Sequence, residues 1–132
     1  MALNEQSKAV KLAWAQVEAW TTHDFAAARA RVADNAQVVV TTTQSQSPTV
    51  NAVVNTIGVD EYMSGLESFA QALTPGSLEK IAALGDDRHA LIMFTVEADY
   101  GGGKFRLPNA RMIMLNDDEK IVAEQVAVFT PS

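Results

Sequence analysis

The chain has 132 residues and reads as one domain over residues 1–132, within the ~100–200 residues usual for a single domain. Ten Lys and Arg against sixteen Asp and Glu leave a formal charge of −6, the wrong sign for a protein that grips a phosphate backbone, so nucleic acid is set aside as a partner. The absence of cysteine removes disulfides, thiol catalysis and thiolate metal sites; no apolar run approaches the ~18 residues of a membrane span, so neither span nor leader is expected and the cytoplasm is the expected compartment.

Leu, Ile, Val and Phe make up 33 of the 132 residues, above the roughly 20% below which chains stay disordered, so a folded core is expected. Val10, Ala13, Trp14, Val17 and Trp20 recur at helical spacing and predict a first helix from about Asn4 to Trp20. Thr21, Thr22 and His23 break that pattern. Asp24 is placed to cap a second helix in which Phe25, Ala28 and Val32 share a face. From Ala36 the period changes: Gln37–Thr43 and Thr49–Ile57 are β-branched runs around a polar Gln44–Ser47 turn, a predicted hairpin. After Gly58, Val59, Tyr62, Met63, Leu66, Phe69 and Leu73 restore the helical period until Thr74, Pro75 and Gly76 end it, with Asp60 and Glu61 where the helix dipole favours negative charge. The remainder is read as four strands separated by turns at Gly85–Arg88, Gly101–Gly103 and Asn116–Glu119.

Helix, helix, hairpin, helix and a four-strand meander predict an α+β fold, with three helices of the N-terminal half covering one face of a mainly antiparallel sheet. A two-residue turn at Gly101 and Gly102 would set Asp99 opposite Lys104 and Glu97 opposite Arg106, two favourable charge pairs that mark a solvent face. The other face then carries Ile92, Phe94, Val96 and Ala98. Similar reasoning at the Asp117-Asp118 turn sets Arg111 directly across from Glu124, on an apolar face with Ile113, Val122, Val126 and Val128. An isolated buried charge is prohibitively costly, and a guanidinium facing a carboxylate is one arrangement that makes burial tolerable.

The Trp20-Thr-Thr-His-Asp24-Phe25 segment, the Val32-Ala-Asp-Asn35 passage into a strand, Gly58 before the third helix and the closing Leu115-Asn-Asp-Asp-Glu-Lys120-Ile-Val segment together resemble a nuclear transport factor 2-like domain of the SnoaL-like, ketosteroid isomerase-like type. The resemblance covers nearly the whole chain. It implies a cone of three helices wrapped by a curved sheet around an internal pocket, and a homodimer through the outer sheet face, where Met93, Ala110, Met112, Met114 and Phe129 lie. It does not carry over the best-known chemistry of that group. By similarity to ketosteroid isomerases, the general base would fall at Val40, the hydrogen-bonding tyrosine near Gln16 and the proton-donating aspartate at Arg111, and none is retained. Asn109, Arg111 and Glu124 fall short of the Asp-Arg-Asp set of limonene epoxide hydrolases. The His and Asp pair of SnoaL-like polyketide cyclases has no counterpart in the loop residues His23 and His89.

Three functional readings follow, each beside a plain structural one in which Arg111 and Glu124 form an ion pair of the sheet and the aromatics are core. The first is a small-molecule-binding domain whose pocket is walled by Trp14, Val17, Trp20, Val40, Tyr62, Phe94 and Val126, with Arg111, Gln16 and Asn109 offering polar contacts to an acidic or carbonyl-bearing ligand. The second is a cofactor-independent isomerase, hydrolase or lyase with catalytic Glu124 as base and Arg111 as anion stabiliser. The third is a non-catalytic dimeric scaffold with a filled pocket. No metal or cofactor is expected: two isolated histidines and acidic turns without ligand spacing make no site, and Gly101–Gly103 lacks the Lys and Ser or Thr of a phosphate loop.

Overall fold

The computed structural model describes residues 6–44 and 50–130, and the side chains of residues 6–41 and 56–128. Helix α1, Lys8–Thr21, opens on Ser7, whose hydroxyl accepts from the Val10 amide. Helix α2, Phe25–Ala30, opens on Asp24, whose carboxylate accepts from the Ala27 amide at 3.2 Å, the cap expected of it. It is shorter than its apolar spacing predicts: Val32 already belongs to β1, Val32–Gln44. Strand β2 is Val50–Ile57 and α3 is Val59–Ala70. Leu73 lies beyond the helix and bridges Ala98 instead. The meander follows as β3 Glu79–Gly85, β4 His89–Asp99, β5 Lys104–Leu115 and β6 Ile121–Thr130. Asn4, Gln44–Ser47 beyond Gln44, Thr49 and the Phe129 side chain, all used in the sequence reading, lie outside what is described.

The three helices pack on a curved six-stranded sheet of order β2-β1-β6-β5-β4-β3. Neighbours are antiparallel except β1 and β6, which run parallel, so the sheet is mixed. Its inner face is the core: Ala90, Ile92, Phe94, Val96 and Ala98 alternate inward along β4 against Val10, Ala13, Val17 and Trp20 of α1, the period-two and period-3.6 patterns meeting across one layer. Trp20 is central, with its ring 6.0 Å from Phe94 and 5.8 Å from Phe69.

The β4–β5 register is the predicted one, with Asp99 opposite Lys104 and Glu97 opposite Arg106. The turn between them is not a two-residue turn. Positive φ falls at Gly101 and Gly103 rather than on two consecutive residues, and the strands part after Asp99. The charged groups also find diagonal partners: Glu97 accepts from Thr74 at 2.7 Å and lies 3.6 Å from Lys104, while Arg106 donates to the Ser77 carbonyl at 2.7 Å.

The β5–β6 register differs from expectation. Arg111 faces Val126, and Glu124 faces Ile113. Glu119 adopts φ +60° at the end of a three-residue turn whose Asn116 amide donates to the Lys120 carbonyl at 2.9 Å, the usual geometry of a three-residue hairpin loop. A bulge at Val122 follows, taking that residue off the inner face on which it was placed. Turn and bulge each shift the register by one residue. Because side chains alternate with period two, the two shifts together leave Arg111 and Glu124 on the same face.

Gly85 ends β3 where the chain passes close to α1. A Cβ there would stand 2.3 Å from the His89 carbonyl oxygen and 2.9 Å from a Val10 methyl, so close approach accounts for the glycine.

Candidate functional site

Helix α3 lies across β1 and the end of β2, with Tyr62, Met63, Leu66 and Ala70 on its buried face. Beneath it, a cavity of about 200 Å³ reaches the inner faces of β1, β6 and β5. Its walls are apolar: Val38 and Val40 from β1, Val126 and Val128 from β6, and Leu66 and Phe69 from α3. One end is polar, formed by Tyr62, Arg111 and Glu124, and Thr56, Glu61 and Gly65 line an exposed flank.

The polar end is a chain of hydrogen bonds. Arg111 Nη1 donates to Glu124 Oε2 at 2.6 Å, and the Tyr62 hydroxyl donates to Glu124 Oε1 at 2.9 Å. Arg111 Nε donates to Asn109 Oδ1 at 3.0 Å. The ion pair is buried, its side chains only 6% and 1% exposed. The guanidinium also lies 4.5 Å from the Trp20 ring centroid and 6.0 Å from that of Phe94, so its outward charge meets aromatic faces rather than hydrocarbon. Nη2 has no hydrogen-bond partner among the described residues, although Arg111 carries more donors than Asn109 and Glu124 accept. Burial pushes the Tyr62 hydroxyl well above its ordinary range and the Glu124 carboxylate adds to this, while Arg111 works the other way. Tyr62 is therefore a neutral donor.

Five of the sequence candidates line the cavity: Val40, Tyr62, Arg111, Glu124 and Val126. The others do not. Val17, Trp20 and Phe94 are core, and Asn109 holds Arg111 from behind. Gln16 is buried, with its Nε2 donating to the Ala28 carbonyl at 2.9 Å and so tying α1 to α2. Trp14, half-buried midway along α1, borders a separate open groove with Lys80, whose Nζ is 5.2 Å from its ring centroid. The guanidinium stands on the cavity side of Trp20 and Phe94, so the aromatic wall expected to touch a ligand touches Arg111 instead. Gln16 Oε1, Trp20 Nε1 and Asn109 Nδ2 are buried in this layer without hydrogen-bond partners among the described residues.

The sequence reading passed over Val38, Thr56, Glu61, Gly65, Leu66, Phe69 and Val128 as lining. Period alone sets Leu66, Phe69 and Val128 on inward faces and does not distinguish filled core from cavity wall. His23 and His89 lie in local arrangements: His23, at φ +66°, has Nε2 3.0 Å from the Ala70 carbonyl, and His89 pairs with Asp86 at 3.1 Å. Among the described residues no three His, Cys, Asp or Glu gather as metal ligands, and no helix is long and apolar enough to cross a membrane.

The sequence pattern of the SnoaL-like domain family matches residues 13–124. The chain belongs to the SnoaL-like domain family. No curated protein gives a match. Among solved structures, this SnoaL-like domain is similar to a protein from Kribbella flavida at 21% identity, over 95% of this chain and 88% of that one, with a TM-score of 0.72. It is also similar to a hypothetical protein of ketosteroid isomerase-like fold from Catenulispora acidiphila, solved in complex with trimethylamine, at 15% identity over 88% and 83% of the chains with a TM-score of 0.66. A putative isomerase from Rhodopseudomonas palustris aligns over 90% of both chains at 10% identity with a TM-score of 0.71. At such identities the likeness is one of fold.

Proposed function

We propose that this SnoaL-like domain binds a small, largely apolar molecule through a carbonyl or similar acceptor oxygen, with Arg111 as donor. The observation that carries the reading is a buried guanidinium at the end of an apolar cavity, its charge matched by Glu124 at 2.6 Å while Nη2 has no partner among the described residues. Nη2 is not among the buried atoms without a partner, so it faces accessible space, where a ligand oxygen can accept from it. Of the acidic and carbonyl-bearing ligands that an arginine can hold, the carbonyl class is favoured. An anion would bring a second negative charge to a guanidinium that already faces one, after passing Glu61 at the opening. A volume of about 200 Å³ lies below the ~300–1,000 Å³ of drug-sized sites and suits a single ring.

Cyclohexanone at ten times its Kd is expected to stabilise the protein by about 1.4 kcal/mol in a thermal melt, cyclohexanecarboxylate far less, and Arg111→Leu to lose the effect. If no small cyclic ketone raises the Tm of the unmodified protein, the reading is wrong. The enzymatic alternative draws on the same placement of Glu124 and Tyr62. Glu124 Oε1 already accepts from Tyr62 and Oε2 from Arg111, which fills about half of its acceptor sites with structural partners, and binding is the better-supported role.

The same reading includes a homodimer. Leu84, Leu91 and Met112 form a row across β3, β4 and β5 on the outer face, 45%, 44% and 52% exposed, with Met93 and Met114 beside them. A contiguous apolar patch of this kind is characteristic of an interface. Light scattering is expected to give twice the chain mass, and Leu91→Glu with Met112→Glu to give one; a monomeric unmodified protein would refute it.

A further inference from the structure

A glycine inside a helix needs a reason, because it weakens the helix relative to alanine through the backbone freedom lost on folding. The reason that accounts for Gly85 is missing at Gly65, near the middle of α3. Its φ is not positive, and a Cβ built on it meets nothing within 4 Å. It is exposed. Neither backbone conformation nor close packing calls for glycine here.

What the bare position does is leave the flank of the cavity open. Gly65 lines the cavity with Glu61 one turn before it and Phe69 one turn after it, positions that fall on one helix face. Glu61 and Gly65 are the exposed members of the lining, and Thr56, Val40 and Phe69 are partly exposed, whereas Tyr62, Arg111 and Glu124 are buried. Glu61 is drawn aside, its Oε2 accepting from the Ile57 amide at 3.3 Å. A side chain longer than methyl at residue 65 leans toward the helix N-terminus, over this gap.

We propose that Gly65 is the doorway of the cavity: the missing side chain leaves the passage, between Glu61 and Phe69 on α3 and Thr56 on β2, by which a small uncharged ligand reaches Arg111. The inference rests on reading the cavity as a ligand site. A doorway that does not touch the seated ligand changes how fast the ligand comes and goes, and changes both directions equally.

The test is NMR exchange of cyclohexanone with the full-length protein as wild type, Gly65→Ala, Gly65→Gln and Gly65→Leu. Gly65→Ala, which adds one carbon into open space, is expected to melt higher than wild type and to slow exchange least. Gly65→Gln and Gly65→Leu, both good helix formers, are expected to slow association and dissociation alike by about tenfold while Kd stays within about twofold. Unchanged exchange rates in folded Gly65→Gln and Gly65→Leu overturn the doorway and leave the ligand site standing. A weaker Kd with an unchanged association rate makes residue 65 part of the seat, and also overturns the doorway. No cyclohexanone-induced shifts in the wild type overturn the ligand site, and the doorway with it.

Discussion

Replacing Glu124 with leucine is expected to lower the unfolding free energy by about 3–5 kcal/mol, and replacing Arg111 with leucine in the same chain is expected to recover most of that loss. The single change leaves a guanidinium only 6% exposed without its counter-charge and leaves the Tyr62 hydroxyl without its acceptor. The double change removes both charges together and leaves apolar side chains against Val126 and the Trp20 ring. Urea unfolding of wild type, both single variants and the double variant closes the cycle. A Glu124→Leu protein within about 1 kcal/mol of wild type would mean that Arg111 escapes to water, contrary to its burial. The cycle also separates architecture from binding. A double variant that keeps its stability but no longer answers to cyclohexanone shows that the fold has no need of the pair. If the double variant is as unstable as the worse single variant, the pair is structural and the scaffold reading gains.

Tyr62→Phe is expected to cost about 1.5–3 kcal/mol at neutral pH, the range for a hydrogen bond to a charged group, and the deficit is expected to shrink above pH 10. Burial first, and the Glu124 charge second, raise the Tyr62 pKa well above 10.0. In the folded protein the phenol keeps its proton over a range where the unfolded chain has lost it. The unfolded state then binds fewer protons, so stability falls as pH rises. The contribution is whole below the unfolded pKa near 10 and is lost toward the folded one. Phenylalanine has no proton to lose. Tyr100, whose pKa burial also raises, is present in both proteins and cancels in the difference. Thermal melts of the two proteins from about pH 7 to pH 11 measure the gap. A gap that stays constant would contradict a buried Tyr62 donating to Glu124.

The sequence carries the β4–β5 register because three glycines mark the turn and two opposite-charge pairs agree on it. It does not carry the β5–β6 register. Glu119 in a left-handed conformation and the bulge at Val122 have no residue-type signature, since glycine or asparagine would be the usual marker. Arg111 and Glu124 still fall on one face because two single-residue shifts preserve parity. The Tyr62 bond to Glu124 depends on the rotation of α3 over the sheet, which no one-dimensional period contains. Trp14, Trp20 and Phe94 show the same limit from the other side: their spacing makes them inward-facing, but only packing decides that Arg111 stands between two of them and the cavity. The single parallel pairing, β1 with β6, is likewise invisible in runs of valine that suit either direction.

That parallel pairing has a kinetic consequence. Strand β6 follows every other strand in the chain yet lies inside the sheet, between β1 and β5, and the Thr41 hydroxyl donates to the Val126 carbonyl across 85 positions of sequence. Before β1 and β6 pair, the β1–β2 hairpin and the β3–β6 meander are two separate pieces, each with an open edge of the kind that invites association with other chains. Such long-range closure is the slow step of a topology like this one. Glu124 arrives on the same strand. Its pair with Arg111 forms within the β5–β6 hairpin, whereas the cavity gains its Val38 and Val40 wall only when β1 joins β6 and the two half-sheets become one.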